Sequence, residues 1–244
     1  MKHLSLVWTF GALALLFFIV TGYGWNWDCK KGKEPLKTEV RKVEPFNGIG
    51  LSLPATVILS QSNTTSVEVE ANADLLEYIK TDVSKDELVI STEDCNCIST
   101  SDDITIKVST PHIEDLSING SGSIISKDKI NTKNMSIAIN GSGDVVLENL
   151  SAENYSVAIN GSGDVDLSGT HAKTGDISIH GSGDVNTSRI PTSAVAVSVA
   201  GSGDVEVKPT AAMDVSIMGS GDVTYYGTPK ISSSIMGSGD LIQH

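Results

Sequence analysis

From Ser136 the chain reads Ser-Ile-Ala-Ile-Asn-Gly-Ser-Gly-Asp-Val-Val-Leu, with branched aliphatics on alternate positions to either side of a glycine pair. Ile137 and Ile139 share one face of a strand, as do Val145 and Leu147 beyond the glycines, while Ser136, Ala138 and Val146 take the other face. The same inward set returns as Val157, Ile159, Val165 and Leu167, then as Ile177, Ile179 and Val185. It returns twice more, as Val197, Val199, Val205 and Val207 and as Val215, Ile217 and Val223. At its centre Gly-Ser-Gly recurs seven times, with first glycines at Gly120, Gly141, Gly161, Gly181, Gly201, Gly219 and Gly237, at spacings of 21, 20, 20, 20, 18 and 18 residues.

A repeat of this length is one coil of a solenoid, because a unit so short can bury its apolar face only against its neighbours. The pattern predicts an all-β chain over 117–244, a parallel β-helix (β-solenoid) of about 18–21 residues per coil. Seven coils at strand spacing make a rod of about 30 Å. The glycines are structural corners, where a sharp turn asks for positive φ. The serines between them are placed to hydrogen-bond from rung to rung. The segments Glu148 to Tyr155, Ser168 to Asp176 and Thr187 to Ala194 are polar, variable in length and broken by Gly or Pro, so they read as the outer return of each coil.

Upstream, residues 41–116 carry short alternating segments at Leu51–Leu53, Thr56–Ser60, Ser66–Glu70, Ile79–Val83, Glu87–Ser91 and Ile104–Ser109, which read as strands. A single turn of helix is expected at Asn72–Tyr78, with Asn72 as its cap. Residues 25–40 mix charge, Gly and Pro without apolar period and read as a linker. Residues 1–24 place Lys2 before the apolar run Leu4 to Val20 and then small residues at Gly22 and Gly24, which is the layout of a cleaved secretory signal. An uncleaved membrane anchor is the competing reading of that run.

Seventeen Lys and Arg against 30 Asp and Glu give a formal charge of -13, which repels phosphate backbones and argues against nucleic acid as a partner. Cys29, Cys95 and Cys97 leave one thiol over in any pairing. Asn26-Trp27-Asp28 before Cys29 are not lipobox residues, and Cys95-Asn96-Cys97 lacks a second Cys or His pair for a metal. A loop that joins Cys29 by a disulfide is the simpler expectation.

Asp144, Asp164, Asp184, Asp204, Asp222 and Asp240 follow six of the seven corners. Stacked at rung spacing, neighbouring carboxylates repel by about 1 kcal/mol or less in water, which makes calcium the one cofactor to weigh. The alternative is that each Asp accepts local backbone N–H groups and no metal is held. Asn119, Asn140 and Asn160 form an amide ladder one residue before the corner, with His180 as its next rung.

No catalytic residue emerges. Beyond the signal the only arginines are Arg41 and Arg189, outside the Asp register, and identical carboxylates in every coil are a repeat and not a singular acid–base pair. Aromatics are 5% of the chain, with Trp25 and Trp27 in the linker; Tyr155, Tyr225 and Tyr226 are the candidates for a contact patch.

The segments Val40-Arg41-Lys42-Val43-Glu44-Pro45-Phe46-Asn47-Gly48-Ile49, Val57-Ile58-Leu59-Ser60-Gln61, Ala73-Asp74-Leu75-Leu76, Leu88-Val89-Ile90 and Ile118-Asn119-Gly120-Ser121-Gly122 resemble the bacterial family "putative auto-transporter adhesin, head GIN domain". The resemblance spans about residues 40–244. It implies a right-handed parallel β-helix with the N-terminal strands continuous with it, so that 41–244 is one domain, and it implies adhesion, with no catalytic residues to carry over.

The resulting expectation is an exported, non-enzymatic binding protein of the periplasm, outer membrane, cell surface or medium, meeting an extracellular or envelope partner, protein or glycan. A self-assembling scaffold is the second reading, since Leu241-Ile242-Gln243-His244 carry no polar cap and predict an open edge and a homo-oligomer. A polysaccharide-active enzyme is the third and least supported.

Overall fold

The computed structural model describes residues 29–93 and 97–244. The expected signal, the two linker tryptophans and Cys95 lie outside the described residues.

The N-terminal strands are β1 (Lys30–Lys31), β2 (Leu36–Arg41), β3 (Gly48–Leu51), β4 (Thr56–Gln61), β5 (Ser66–Asn72), β6 (Ile79–Ser84), β7 (Glu87–Thr92), β8 (Ile98–Ser99) and β9 (Thr105–Thr110). The repeat region follows as β10 (Asp115–Gly120), β11 (Ser123–Gly141), β12 (Asp144–Gly161), β13 (Val165–Gly169), β14 (Ala172–Gly181), β15 (Val185–Gly201), β16 (Val205–Gly219), β17 (Val223–Tyr225), β18 (Lys230–Gly237) and β19 (Leu241–Gln243). Together the coils form a β-solenoid of about six turns.

Each coil has three sides. A pre-corner side stacks Ile118, Ile139, Ile159, Ile179, Val199, Ile217 and Ile235 in parallel register. A post-corner side stacks Ile124, Val145, Val165, Val185, Val205, Val223 and Leu241. All of these except Ile235 and Leu241 in the last coil are buried, so the inward set read from the alternation is the core.

The return is more than a polar loop. Within β11 and β12 it continues the ladder, pairing Ile130 with Leu150 and Thr132 with Ala152, and it contributes Ile130, Leu150, Ala172 and Ile190 to the core. What the sequence does place correctly there is irregularity: the register shifts fall between Ser126 and Lys129, Leu147 and Leu150, Asp166 and Ser168, Asn186 and Pro191, and Thr192 and Ala194. Differences in coil length are absorbed where no inward aliphatic has to keep its stack.

The N-terminal strands join the same sheet out of chain order. β3 lies between β7 and β10, and β4 lies between β9 and β11, so the coil made by 48–61 is inserted between the one made by 87–110 and the first glycine corner. Beyond them the stack ends in antiparallel strands, β6 on β7, β5 on β9 and β2 on β5. The stretch 25–40 is therefore not a plain linker: Leu36–Arg41 is the outermost of these strands, and β1 pairs with β8 beside a Cys29–Cys97 disulfide.

Two local expectations also change. The strand expected at Leu51–Leu53 ends at Leu51. The turn at 72–78 reduces to a 3-10 segment, Leu76–Tyr78, with no side-chain cap. Asn72 is instead buried, donating from Nδ2 to the Glu34 carbonyl (2.7 Å) and Asp102 (2.8 Å) and accepting from the Thr100 hydroxyl, which ties β5 to two loops.

Candidate functional site

The corner and the return are the two surfaces on which a partner could be read. At the corner all seven first glycines have φ between +128° and +145°. The third residue of each unit has a different reason to be glycine: a Cβ on Gly163 would press into the Gly143 carbonyl of the coil below. The amide of Ser162 donates to the Gly141 carbonyl (2.8 Å), and the other coils repeat this bond. The expected rung-to-rung bonding at the serines is thus made by backbone amides; no hydrogen bond between these serine hydroxyls occurs among the described residues.

The aspartates form a ladder through the backbone. Asp164 N–H donates to Asp144 Oδ1 (3.2 Å), Asp184 to Asp164 (2.9 Å), and Asp204, Asp222 and Asp240 each to the aspartate one coil below (2.8 Å). One carboxylate oxygen is thereby committed to the protein in every coil but the last, and the other faces water. Among the described residues no three His, Cys, Asp or Glu side chains gather as a metal site. Calcium takes six or more oxygens around one centre, and each aspartate that accepts from the coil above has one carboxylate oxygen outside this backbone bonding to offer.

The amide ladder forms as expected, Asn140 Nδ2 to Asn119 Oδ1 (3.2 Å) and Asn160 Nδ2 to Asn140 Oδ1 (3.1 Å). A second one, Asn154 Nδ2 to Asn134 Oδ1 (2.9 Å) capped by the Thr174 hydroxyl (2.7 Å), lies on the return. Its signal was the spacing of 20 between two asparagines in a segment whose other residues do not repeat.

Of the three tyrosines, Tyr155 and Tyr225 are core residues and cannot form a contact patch. Tyr155 is 3% exposed and its hydroxyl sits between Thr187 (3.1 Å) and Thr192 (3.3 Å); burial pushes its phenol pKa up. Tyr225 is inward because it occupies the Val207 position of the next coil. Tyr226 alone is partly exposed, stacked on His244 with its hydroxyl 3.4 Å from Glu206.

Arg41 and Arg189 are also away from the aspartate corner. Arg41 donates to the Leu76 carbonyl (2.7 Å), and Arg189 pairs with Asp166.

The return side carries what the sequence did not reveal in one dimension. Between Ser117 and His244 every lysine and arginine lies on it: Lys127, Lys129, Lys133, Lys173, Arg189, Lys208 and Lys230. It holds four of the thirteen acids of that region, Asp128, Glu148, Glu153 and Asp176; the other nine lie on the corner and its flanking sides, which have no lysine or arginine at all. Three grooves border this face among the described residues. One, of about 540 Å³, is bounded by His112, Glu114, Lys133, Glu153, His171 and Lys173, a second, of about 450 Å³, by Lys129, Glu148, Asn149, Ser168, Thr170 and Arg189, and a third, of about 570 Å³, sets Lys230 beside Asp176 and Asp214. Lys173 Nζ lies 2.6 Å from Glu153 Oε2, and this hydrogen bond and charge, with Lys133 adding to them, hold the Glu153 carboxyl below its ordinary value.

The family model described as "putative auto-transporter adhesin, head GIN domain" matches residues 45–229. Among solved structures, a putative adhesin from Bacteroides fragilis is 25% identical with a TM-score of 0.82, over 88% of this chain and 99% of that one. A putative lipid binding protein from Parabacteroides distasonis is 24% identical with a TM-score of 0.75, over 88% and 98%. A putative adhesin from Parabacteroides merdae, 18% identical with a TM-score of 0.70, likewise covers 88% and 98% and shares the fold. No curated protein matches in sequence.

Proposed function

This chain belongs to the head GIN domain family of adhesin-like proteins, and from that premise we propose that it is an exported, non-enzymatic binding protein of the cell envelope whose recognition surface is the return side of the solenoid. The observation that carries this is the contrast between the two surfaces. The corner repeats one backbone-bonded arrangement in every coil, which fits a scaffold, while the return varies from coil to coil and concentrates the cations and grooves. Specificity needs differences, and the return has them. Among the described residues no helix is long and apolar enough to cross a membrane, and the apolar run Leu4 to Val20 supplies the export signal of this reading.

The test has two arms. Terminal sequencing of the secreted protein should show cleavage after Gly24, and an array of glycans and matrix proteins should yield saturable ligands whose products stay chemically unchanged after long incubation. An intact apolar segment in the mature protein, a blank array, or new sugar ends in the incubation would each contradict a part of it.

A second reading is favoured by one specific observation. Among the described residues β18 and β19 are paired on one side only, and all eight residues of β18 are exposed, including Ile231 and Ile235. Such an edge is a template for strand addition, so a self-assembling scaffold through a homo-oligomer is the alternative. Light scattering at high micromolar concentration decides it: a monomer counts against the scaffold.

A further inference from the structure

We infer that the return side binds a linear, negatively charged polysaccharide, one whose repeating carboxylate or sulfate groups lie along the solenoid axis. The inference deepens the proposed function and rests on it. Lys129 and Lys133 share the β11 coil, the β12 coil carries Glu148 and Glu153 and no lysine or arginine, and Lys173, Arg189, Lys208 and Lys230 then follow one per coil, so the positive charge is drawn out along the stack, with one interruption, at rung spacing of about 4.8 Å per coil and not gathered in one spot. An extended ligand with periodic charge matches that layout; a compact anion uses only one step of it.

Several of these cations are available. Lys127, Lys129, Lys133, Lys208 and Lys230 are exposed and form no ion pair among the described residues. The rest of the repeat region carries nine acids and no lysine or arginine, so within that region the field turns a polyanion toward this side.

The grooves add the chemistry of sugar recognition. Asn131, Ser151, Asn149, Ser168 and Thr170 line two of them with amides and hydroxyls, which satisfy sugar hydroxyls by hydrogen bonds. Neutral glycans are usually held by stacking on exposed aromatic rings, and no Phe, Tyr or Trp lines any of the three, Tyr155 being turned into the core. Charge is the remaining source of affinity, which selects an acidic glycan over a neutral one.

The experiment uses the secreted protein and three immobilised probes: heparin for sulfate, polygalacturonate for carboxylate and dextran as the neutral comparator. One variant combines Lys129→Gln, Lys133→Gln and Lys208→Gln. A charge-matched variant combines Lys37→Gln, Lys42→Gln and Lys107→Gln, exposed lysines of the N-terminal strands that are likewise unpaired among the described residues. The expected result is binding to heparin, polygalacturonate or both and not to dextran, weakened by salt, and weakened about tenfold by the return-side variant while the charge-matched one leaves it unchanged.

Equal weakening by the two variants, or dextran bound as well as the polyanions, overturns the inference. So does a homodimer that the return-side variant dissociates, because the cations then serve the aspartate corner of a second copy. Absence of polyanion binding alongside another ligand on the array overturns this inference and leaves the proposed function standing; a blank array removes both.

Discussion

Gly161 and Gly163 flank the same serine for separate reasons. Gly161 has φ +140° and also lies against the Gly141 carbonyl, whereas Gly163 has no left-handed φ and is excluded from bearing a side chain only by the coil below. Gly120 is the converse case, with φ +128° and open space around its would-be Cβ. Alanine at these three positions should therefore separate strain from close approach. We expect Gly120→Ala to cost about 1–3 kcal/mol in chemical denaturation, and Gly161→Ala, which adds a backbone clash, to cost more; Gly163→Ala should be destabilising with no strain contribution at all. Equal losses at all three sites would refute the division. Tyr155→Phe removes the only hydrogen-bond partner that the buried Thr187 hydroxyl has among the described residues and should cost about 1–3 kcal/mol. Because burial raises the Tyr155 pKa above 10.0, its neutral form adds stability that is complete below pH 10.0 and lost as pH rises through the native value. The alkaline fall in stability should be correspondingly shallower in the Phe variant. For Glu153 the sign reverses. Its native pKa lies below 4.5, so its contribution is present above 4.5 and lost as pH falls through the lower native value. Carboxyl NMR should find that midpoint below 4.5 in the native protein and returning toward it in Lys173→Gln.

Among elements, the coils were legible in the sequence because a two-residue alternation and a fixed corner leave little freedom: once Ile137 and Ile139 face inward, Ile159 and Ile179 must stack on them. The N-terminal strands were legible as strands but not in their order. Nothing local in Gly48–Leu51 or Glu87–Thr92 says that the first lies between the second and Asp115–Gly120, since parallel pairing is decided by tertiary fit. The 25–40 stretch was misread for a related reason: Lys37, Thr38 and Glu39 are polar on both faces of an edge strand, where one side has no core to meet. On the return, alternation is interrupted at each register shift, so inward Ile130, Leu150 and Ile190 do not announce themselves by period. The Cys29–Cys97 bridge closes 68 residues and links β1 with β8 at the capped end, so its reduction should lower stability by about 4 kcal/mol. Melting with and without a reductant checks this; an unchanged midpoint would mean that β1 and β8 contribute nothing to the cap.

For the molecule as a whole, the fold separates charge in a way that the net value of -13 conceals. Between Ser117 and His244 most acids occupy the side whose geometry repeats, and all lysines and arginines occupy the side whose geometry varies. The candidate site was therefore illegible as a motif, because its residues lie up to 101 positions apart, from Lys129 to Lys230, and meet only through the stacking of coils. The account's central claim is that recognition belongs to the return and not to the repeated corner. The most direct measurement is the glycan and matrix-protein binding profile of the protein beside that of Asp164→Asn/Asp184→Asn/Asp204→Asn, which keeps each Oδ1 acceptor, and of Lys129→Gln/Lys133→Gln/Lys208→Gln. The account predicts that the corner variant keeps the parent profile and that the return variant loses it. A profile lost with the aspartates and kept without the lysines would contradict it.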